Sequence, residues 1–131
     1  MKKLLFIICL FIVSNSVNAK VSCDDAGGIQ RTGRSGNIEY CLSSQTMNWW
    51  SANSWCDAVG GTLFDIAADC SLGAAGYICP QIRGMGFPVG YLWTKNVMVD
   101  GNAIVLHSSA DTIYKYSKKE LSNVKALCRL K

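Results

Sequence analysis

The chain has 131 residues, 50% of them hydrophobic and 17% charged, with a formal net charge of +4. A chain that is half apolar is not a disordered, charge-swollen one, and its charged fraction lies below the roughly 25% of ordinary soluble proteins. Lys2 and Lys3 supply two of the charges; without them 13 basic residues become 11 against 9 acidic ones, too even a balance for a nucleic-acid interface.

Residues 1–19 read as an export signal. Lys2 and Lys3 make a positive start, Leu4 to Val13 is an unbroken apolar run, and Val17-Asn18-Ala19 has the small-residue pattern at which signal peptidase cuts. The apolar run is about half the roughly 20 residues that a membrane-spanning helix needs. Cys9 lies inside the run and not at its end, which argues against a lipid anchor, and no pilin-type leader pattern accompanies it. The lysine-then-apolar start is bacterial in style. The expected mature chain is residues 20–131, a single domain with no membrane span, secreted or periplasmic.

Six cysteines follow the expected cleavage point: Cys23, Cys41, Cys56, Cys70, Cys79 and Cys128. An even number in a short exported chain predicts a disulfide framework. Zinc is the competing chemistry, but no Cys-x-x-Cys pair is present, and His107, the only histidine, has no partner at ligand spacing. His107 reads instead as a hydrogen-bonded strand residue. Six cysteines allow fifteen pairings, which spacing alone leaves open. Cys70 and Cys79 stand close together in a Gly-rich stretch that can bend to meet bridge geometry. Joining a distant pair such as Cys56 and Cys128 would constrain far more of the unfolded chain, by about 4 kcal/mol against nearer 3 for the short loop in the chain-entropy model.

In chain order, residues 20–37 are polar and Gly-containing and predict an irregular lead-in. Ile38, Tyr40 and Leu42 alternate with Glu39 and Cys41, as in a short strand. Trp49, Ala52, Trp55, Cys56 and Val59 fall at helical spacing and predict an amphipathic helix from about Met47 to Val59. Thr46 or Asn48 caps its start, Gly60-Gly61 stops it, and Ser51, Asn53, Ser54 and Asp57 lie outside. Trp55, sharing the Cys56 face, is expected in the core; Trp50, off the apolar stripe, is kept as a surface contact. Thr62–Ile66 reads as extended. Residues 67–90 hold five glycines and both prolines, predicting one short helix near Ile66–Leu72 and then long loops. Tyr91–Thr94 reads as a buried strand. Asp100-Gly101 marks a hairpin turn between Val97–Val99 and Ala103–Leu106. Thr112–Tyr116 suits a further strand. At the end Val124, Ala126, Cys128 and Leu130 alternate with Lys125, Leu127, Arg129 and Lys131, predicting a strand with one face buried.

The run NWWSANSWCDAVGGTLFDI resembles the first helix of a C-type lectin-like domain. Trp49 or Trp50, Ala52 and Cys56 match that helix, and Gly60, Gly61 and Leu63 match the Gly-Gly-x-Leu that leads it into a strand. The end, VKALCRLK, resembles the family's last strand, whose cysteine bonds to the helix cysteine. YLWTKN, followed by the alternating Ala103–Leu106 segment, looks like small bacterial exported domains on the same scaffold. The resemblance covers residues 38–131. It implies an α+β fold in which one main amphipathic helix and a short second helix pack against small antiparallel sheets, with long loops and Trp93 in the core. It also implies the pairs Cys56–Cys128 and Cys23–Cys41, the latter as the N-terminal hairpin bridge of the family's long form, and so leaves Cys70–Cys79.

The departures from the family bear on function. Sugar-binding members hold calcium through Glu-Pro-Asn or Gln-Pro-Asp and a later Trp-Asn-Asp; Pro80 and Pro88 have no such neighbours. The acidic residues are scattered singly apart from Asp24-Asp25, whereas calcium takes six to eight oxygens. Binding is therefore expected to be calcium-independent, with no metal and no cofactor. Nucleophilic catalysis needs a Ser or Cys with an oriented base, and neither His107 nor any Gly-x-Ser-x-Gly offers one, so no enzyme is expected. From Lys115 to Lys131 six basic residues face one acid, Glu120. They read as the solvated face of the last strands or, more sharply, as a weak anion-attracting edge. The expectation is an exported, non-enzymatic binding module for a protein or glycan on a cell surface, recognising it through residues 67–102, since loops on a rigid scaffold carry such function. Its candidate contacts are Trp50, Lys95, Asn96, Asp100 and Asn102. The alternative is a structural or accessory subunit of a cell-surface assembly.

Overall fold

The computed structural model describes residues 20–73, 76–82, 85–88, 90–108 and 110–130; the expected export signal lies outside them. The elements are β1 (Gly28–Thr32), β2 (Glu39–Met47), α1 (Trp49–Ala58), β3 (Gly61–Leu63), α2 (Ile66–Asp69), β4 (Ser71–Gly73), β5 (Gly76–Ile78), β6 (Tyr91–Val97), β7 (Ala103–His107), β8 (Ala110–Ser117) and β9 (Val124–Leu130). The protein is mixed α/β, with two helices, two sheets and three disulfides among the described residues.

The larger sheet runs β1-β2-β9-β6-β7-β8, and β3 also pairs with β9. Strand β9 is antiparallel to β2 on one side. On its other side it takes β3, antiparallel, and β6, parallel, one after the other. The Phe64–Thr94 bridge joins those two neighbours. The expectation of antiparallel sheets did not include the parallel pair.

Period-two alternation sends each strand's side chains to two separate cores. Cys41, Trp93, Ala103, Val105, Ala126 and Cys128 face α1, where Ala52, Cys56 and Val59 meet them. Tyr40, Leu42, Leu92, Ile104, Leu106 and Leu127 face the opposite way, toward Phe64, Ile66 of α2, and Cys79, Ile82 and Met85. The sheet is therefore covered on both sides. That corrects the reading of the last strand as one-faced: Leu127 is as deeply buried as Cys128. Each fully buried leucine contributes about 1.5–3 kcal/mol.

Helix α1 has 10 residues, fewer than the roughly 12–15 at which isolated helices become even marginal in water. Its contacts hold it. The Asn48 side chain accepts the Ser51 N–H at 2.8 Å, a cap that satisfies one of the donors the first turn leaves without a helical partner. Gly60, at φ +83°, ends it in the left-handed conformation that glycine adopts freely. Gly61 then lies so close to the Arg129 carbonyl that a Cβ would collide with it. Two indoles tie the helix start to the sheet: Trp93 Nε1 donates to the Met47 carbonyl at 2.7 Å and Trp49 Nε1 to that of Thr94 at 3.0 Å.

Among the described residues the pairing register shifts three times, in β2–β9, β6–β7 and β7–β8, and a buried hydroxyl stands at the first two. Between Leu42 and Thr46 the β2–β9 register shifts. There Ser43 Oγ accepts the Ala126 N–H at 2.9 Å and donates to the Gln45 carbonyl at 2.7 Å. Between Trp93 and Val97 the β6–β7 register shifts, and Thr94 Oγ1 donates to the Ile104 carbonyl at 2.8 Å. A bulge strands backbone groups that must find partners when buried; Ser43 and Thr94 supply them.

Two segments differ from their sequence reading. The lead-in contains β1, hairpinned onto β2, and the Gly-rich stretch contains the β4–β5 hairpin. Strand β1 stays half-buried to exposed, and β4 and β5 have three residues each, so neither carries a hydrophobic period to read.

The disulfides are Cys23–Cys41, Cys56–Cys128 and Cys70–Cys79, with sequence separations of 18, 72 and 9. In the chain-entropy model their loops contribute about 3.2, 4.4 and 2.6 kcal/mol respectively. Replacing Cys56 and Cys128 together with Ala is therefore expected to lower unfolding free energy by at least about 1.5 kcal/mol more than replacing Cys70 and Cys79. Urea denaturation of the two double mutants measures the difference, and equal losses would contradict it.

Candidate functional site

The start of α1 and the end of β2 form an open groove of about 620 Å³. Trp50 and Trp55 are its aromatic residues and Met47 its aliphatic one, while Gln45, Thr46, Ser51 and Ser54 supply one amide and three hydroxyls. Trp50, Ser51 and Ser54 share a side of the helix because residues three and four apart are neighbours there. Trp50 is 49% exposed. Its ring meets Trp49 edge-on at 6.3 Å between centroids, and Lys119 Nζ lies 4.2 Å from the Trp49 centroid and 6.0 Å from that of Trp50. The backbone N–H of Trp49 also donates to the Lys119 carbonyl. Trp50 is thus braced from behind and open in front.

Trp55 is half-buried, not the full core residue expected. It packs against the core from the rim and also borders a smaller hollow lined by Ala26, Gly27, Ser43 and Ser44. Gly28 makes this fit possible: a Cβ there would lie 2.9 Å from the Trp55 ring and closer still to the Cys23–Cys41 sulfurs.

The other candidate contacts sit apart from Trp50, and among the described residues no hydrogen bond, ion pair or ring contact joins them to it. Lys95 and Asn96 converge on Asp65, the N-cap of α2. Lys95 Nζ lies 3.3 Å from Asp65 Oδ2, and Asn96 Nδ2 donates to Oδ1 at 3.3 Å while Asn96 Oδ1 accepts the Ile66 N–H at 2.8 Å. Burial alone would raise the Asp65 carboxyl, but hydrogen bonds from Asn96, Lys95 and the Ala67 N–H, together with the Lys95 charge, outweigh it and hold it below the usual value. The stabilisation this gives is present at neutral pH and fades as pH falls below the ordinary carboxylate range. Asp100 and Asn102 bind each other within the β6–β7 turn, at 3.0 Å from the Asn102 N–H and 3.3 Å from its side chain. Lys95 and Asn96, in β6, hold the start of α2, Asp100 and Asn102 shape the β6–β7 turn, and the polar groups of all four are largely engaged.

A third cluster was not anticipated. Tyr40 donates its hydroxyl to Asp69 Oδ2 at 2.9 Å, and Arg129 Nε lies 3.5 Å from the same oxygen. Burial first, then the hydrogen bond to Asp69 and its negative charge, push the Tyr40 phenol well above its ordinary value of 10, with Arg129 pulling the other way. No sequence signal links these residues, which come from β2, α2 and β9. His107 meets Tyr91 edge-on at 5.0 Å. Among the described residues no group of three or more His, Cys, Asp or Glu side chains is placed to hold a metal ion, and no helix is long and apolar enough to cross a membrane.

Compared with protein-family models, curated proteins and solved structures, the chain finds no match.

Tyr40 sets an alkaline limit. A group whose pKa is raised by folding contributes stability that is complete below its unfolded value and is lost as pH climbs through its folded one. Stability against thermal unfolding is therefore expected to fall above about pH 10 by up to about 1.4 kcal/mol per pH unit on account of this one group. Tyr40→Phe, less stable at neutral pH, should lose that part of the slope; parallel slopes in both proteins would contradict the assignment.

Proposed function

We propose that the chain is an exported, non-enzymatic binding module with a C-type lectin-like fold, and that its ligand is a cell-surface glycan received on the Trp50 face without calcium. The fold reading is supported by α1 carrying Ala52 and Cys56 inward, by Gly60-Gly61-x-Leu63 entering β3, and by the bond from Cys56 to the last strand. Export agrees with six cysteines held in three bridges, which persist in oxidising compartments.

The observation that carries the ligand class is Trp50 itself, a half-exposed indole at the edge of a groove whose polar side chains are all uncharged. An indole offers a large apolar area at little cost in conformational entropy. The C–H face of a sugar ring can lie on it, and its hydroxyls can exchange hydrogen bonds with Gln45, Thr46, Ser51 and Ser54. Recognition centred here differs from recognition by residues 67–102, where Lys95, Asn96, Asp100 and Asn102 are occupied with one another and with Asp65.

A glycan array followed by calorimetry in EDTA tests the reading. The mature chain should bind a saccharide, and Trp50→Ala should weaken that binding at least about tenfold, as for a central aromatic contact, with an unchanged melting temperature. Binding that survives Trp50→Ala, or that requires calcium, would sink it.

A further inference from the structure

The C-terminal part of β9 sets Arg129 between Tyr40 of β2 and Thr62 of β3, its register partners on either side. Asp69 at the end of α2 closes over it, with a side chain only 4% exposed against 37% for Arg129. The approach is at Nε, and a guanidinium carries four further N–H donors on its two terminal nitrogens. No other ion pair or side-chain hydrogen bond engages Arg129 among the described residues. Arg129 also lines a cleft of about 350 Å³ together with Asn37, Ile38, Thr62 and Leu130. One face of the guanidinium is therefore fixed from within, while the side chain borders an open hollow.

We propose that this cleft binds a carboxylate group, gripped by the terminal nitrogens of Arg129 with Asn37 and Thr62 as neutral hydrogen-bonding partners. Asp69 decides the ligand class. It orients the guanidinium, and it offsets its charge, so the cleft has one directional fork and no second cation. A dianion such as phosphate would find too little positive charge there. A planar monoanion matches the fork through two parallel charge-assisted hydrogen bonds. Ile38, packed on the α2-side core, provides an apolar surface for the carbon skeleton behind the carboxylate. An acidic sugar and the free C-terminus of a peptide both present this chemistry. Tyr40 and Asp69 belong to the α2 side of the sheet and Trp50 to the α1 side, so the cleft stands independently of the glycan reading.

Titration of the isotope-labelled chain by proton–nitrogen NMR tests the proposal, with sodium acetate, sodium glucuronate and N-acetyl-leucine added at constant ionic strength. Saturable shifts are expected at the amides of Ile38, Thr62, Arg129 and Leu130, with a dissociation constant on the order of 1 mM for a carboxylate in a partly solvated cleft. Tighter binding of glucuronate assigns the site to an acidic sugar, and tighter binding of N-acetyl-leucine to a peptide terminus. Arg129→Lys keeps a cation opposite Asp69 but loses the fork, and is expected to bind at least tenfold more weakly. Thr62→Ala, at an exposed position of β3, is expected to weaken binding several-fold and decides the matter if the first variant fails to fold. No saturable shift with any of the three carboxylates, an equal response to phosphate or chloride, or unaltered binding in both variants would overturn it.

Discussion

The bond from Cys56 to Cys128 joins the longer of the two described helices to the strand that pairs with three others in the larger sheet. Strand β9 pairs with β2, β3 and β6. Its Leu127 carbonyl accepts the Phe64 N–H at 2.8 Å, its Ala126 N–H is held by Ser43, and its Arg129 reaches Asp69. Both faces of the strand are covered, Cys128 and Ala126 by the α1 side and Leu127 by the α2 side. Yet β9 is the last of the described elements in chain order. The sheet cannot be completed until the two ends of the domain meet, so the folded state depends on contacts of long sequence separation, whose loop-closure entropy must be overcome before they give anything back. The bridge removes part of that entropy from the unfolded chain.

From this frame follow the places where the surface is available for recognition. On the α1 side the helix start is pinned by Trp49, Trp93 and the Asn48 cap, so Trp50 projects from a rigid base. On the α2 side the Tyr40–Asp69–Arg129 network serves the fold first, because it satisfies a nearly buried carboxylate that would otherwise be costly. The β6–β7 turn is different. Val99 at its tip is fully exposed, but its polar neighbours Asp100 and Asn102 are spent on the turn itself.

How much was legible in the sequence depended on whether one residue's environment showed in its neighbours. Helix α1, its Asn48 cap and its Gly60 stop were readable because a helical stripe and its punctuation are local. So were the buried strand at Trp93 and the Asp100-Gly101 turn. The strand from Val124 was visible, but its second buried face was not: a strand covered on both sides loses the contrast on which alternation depends, and Lys125 and Arg129 at its margins made Leu127 look outward. Strands β1, β4 and β5 were too short or too exposed to have a period. Trp55 shares the Cys56 side of the helix, and only the placement of the Gly28 hairpin shows that it ends at a rim. The cysteine pairing was not readable from spacing; only the resemblance chose among the possibilities. The Arg129 cleft was invisible because Asp69 and Arg129 meet only once β9 is in place.

Strand β9, held by β2, β3 and β6 and covered on both faces, is expected to be the last part of the fold to open. Native-state hydrogen exchange measures this residue by residue, because amides in the most stable unit exchange only through global unfolding. Leu127 and Cys128, with their β2 partners Leu42 and Cys41, are expected to exchange most slowly and to share one opening free energy equal to that of denaturant unfolding, while α2 and the β4–β5 hairpin open far earlier. Protection that is higher in α2 or β4–β5 than in β9 would contradict it.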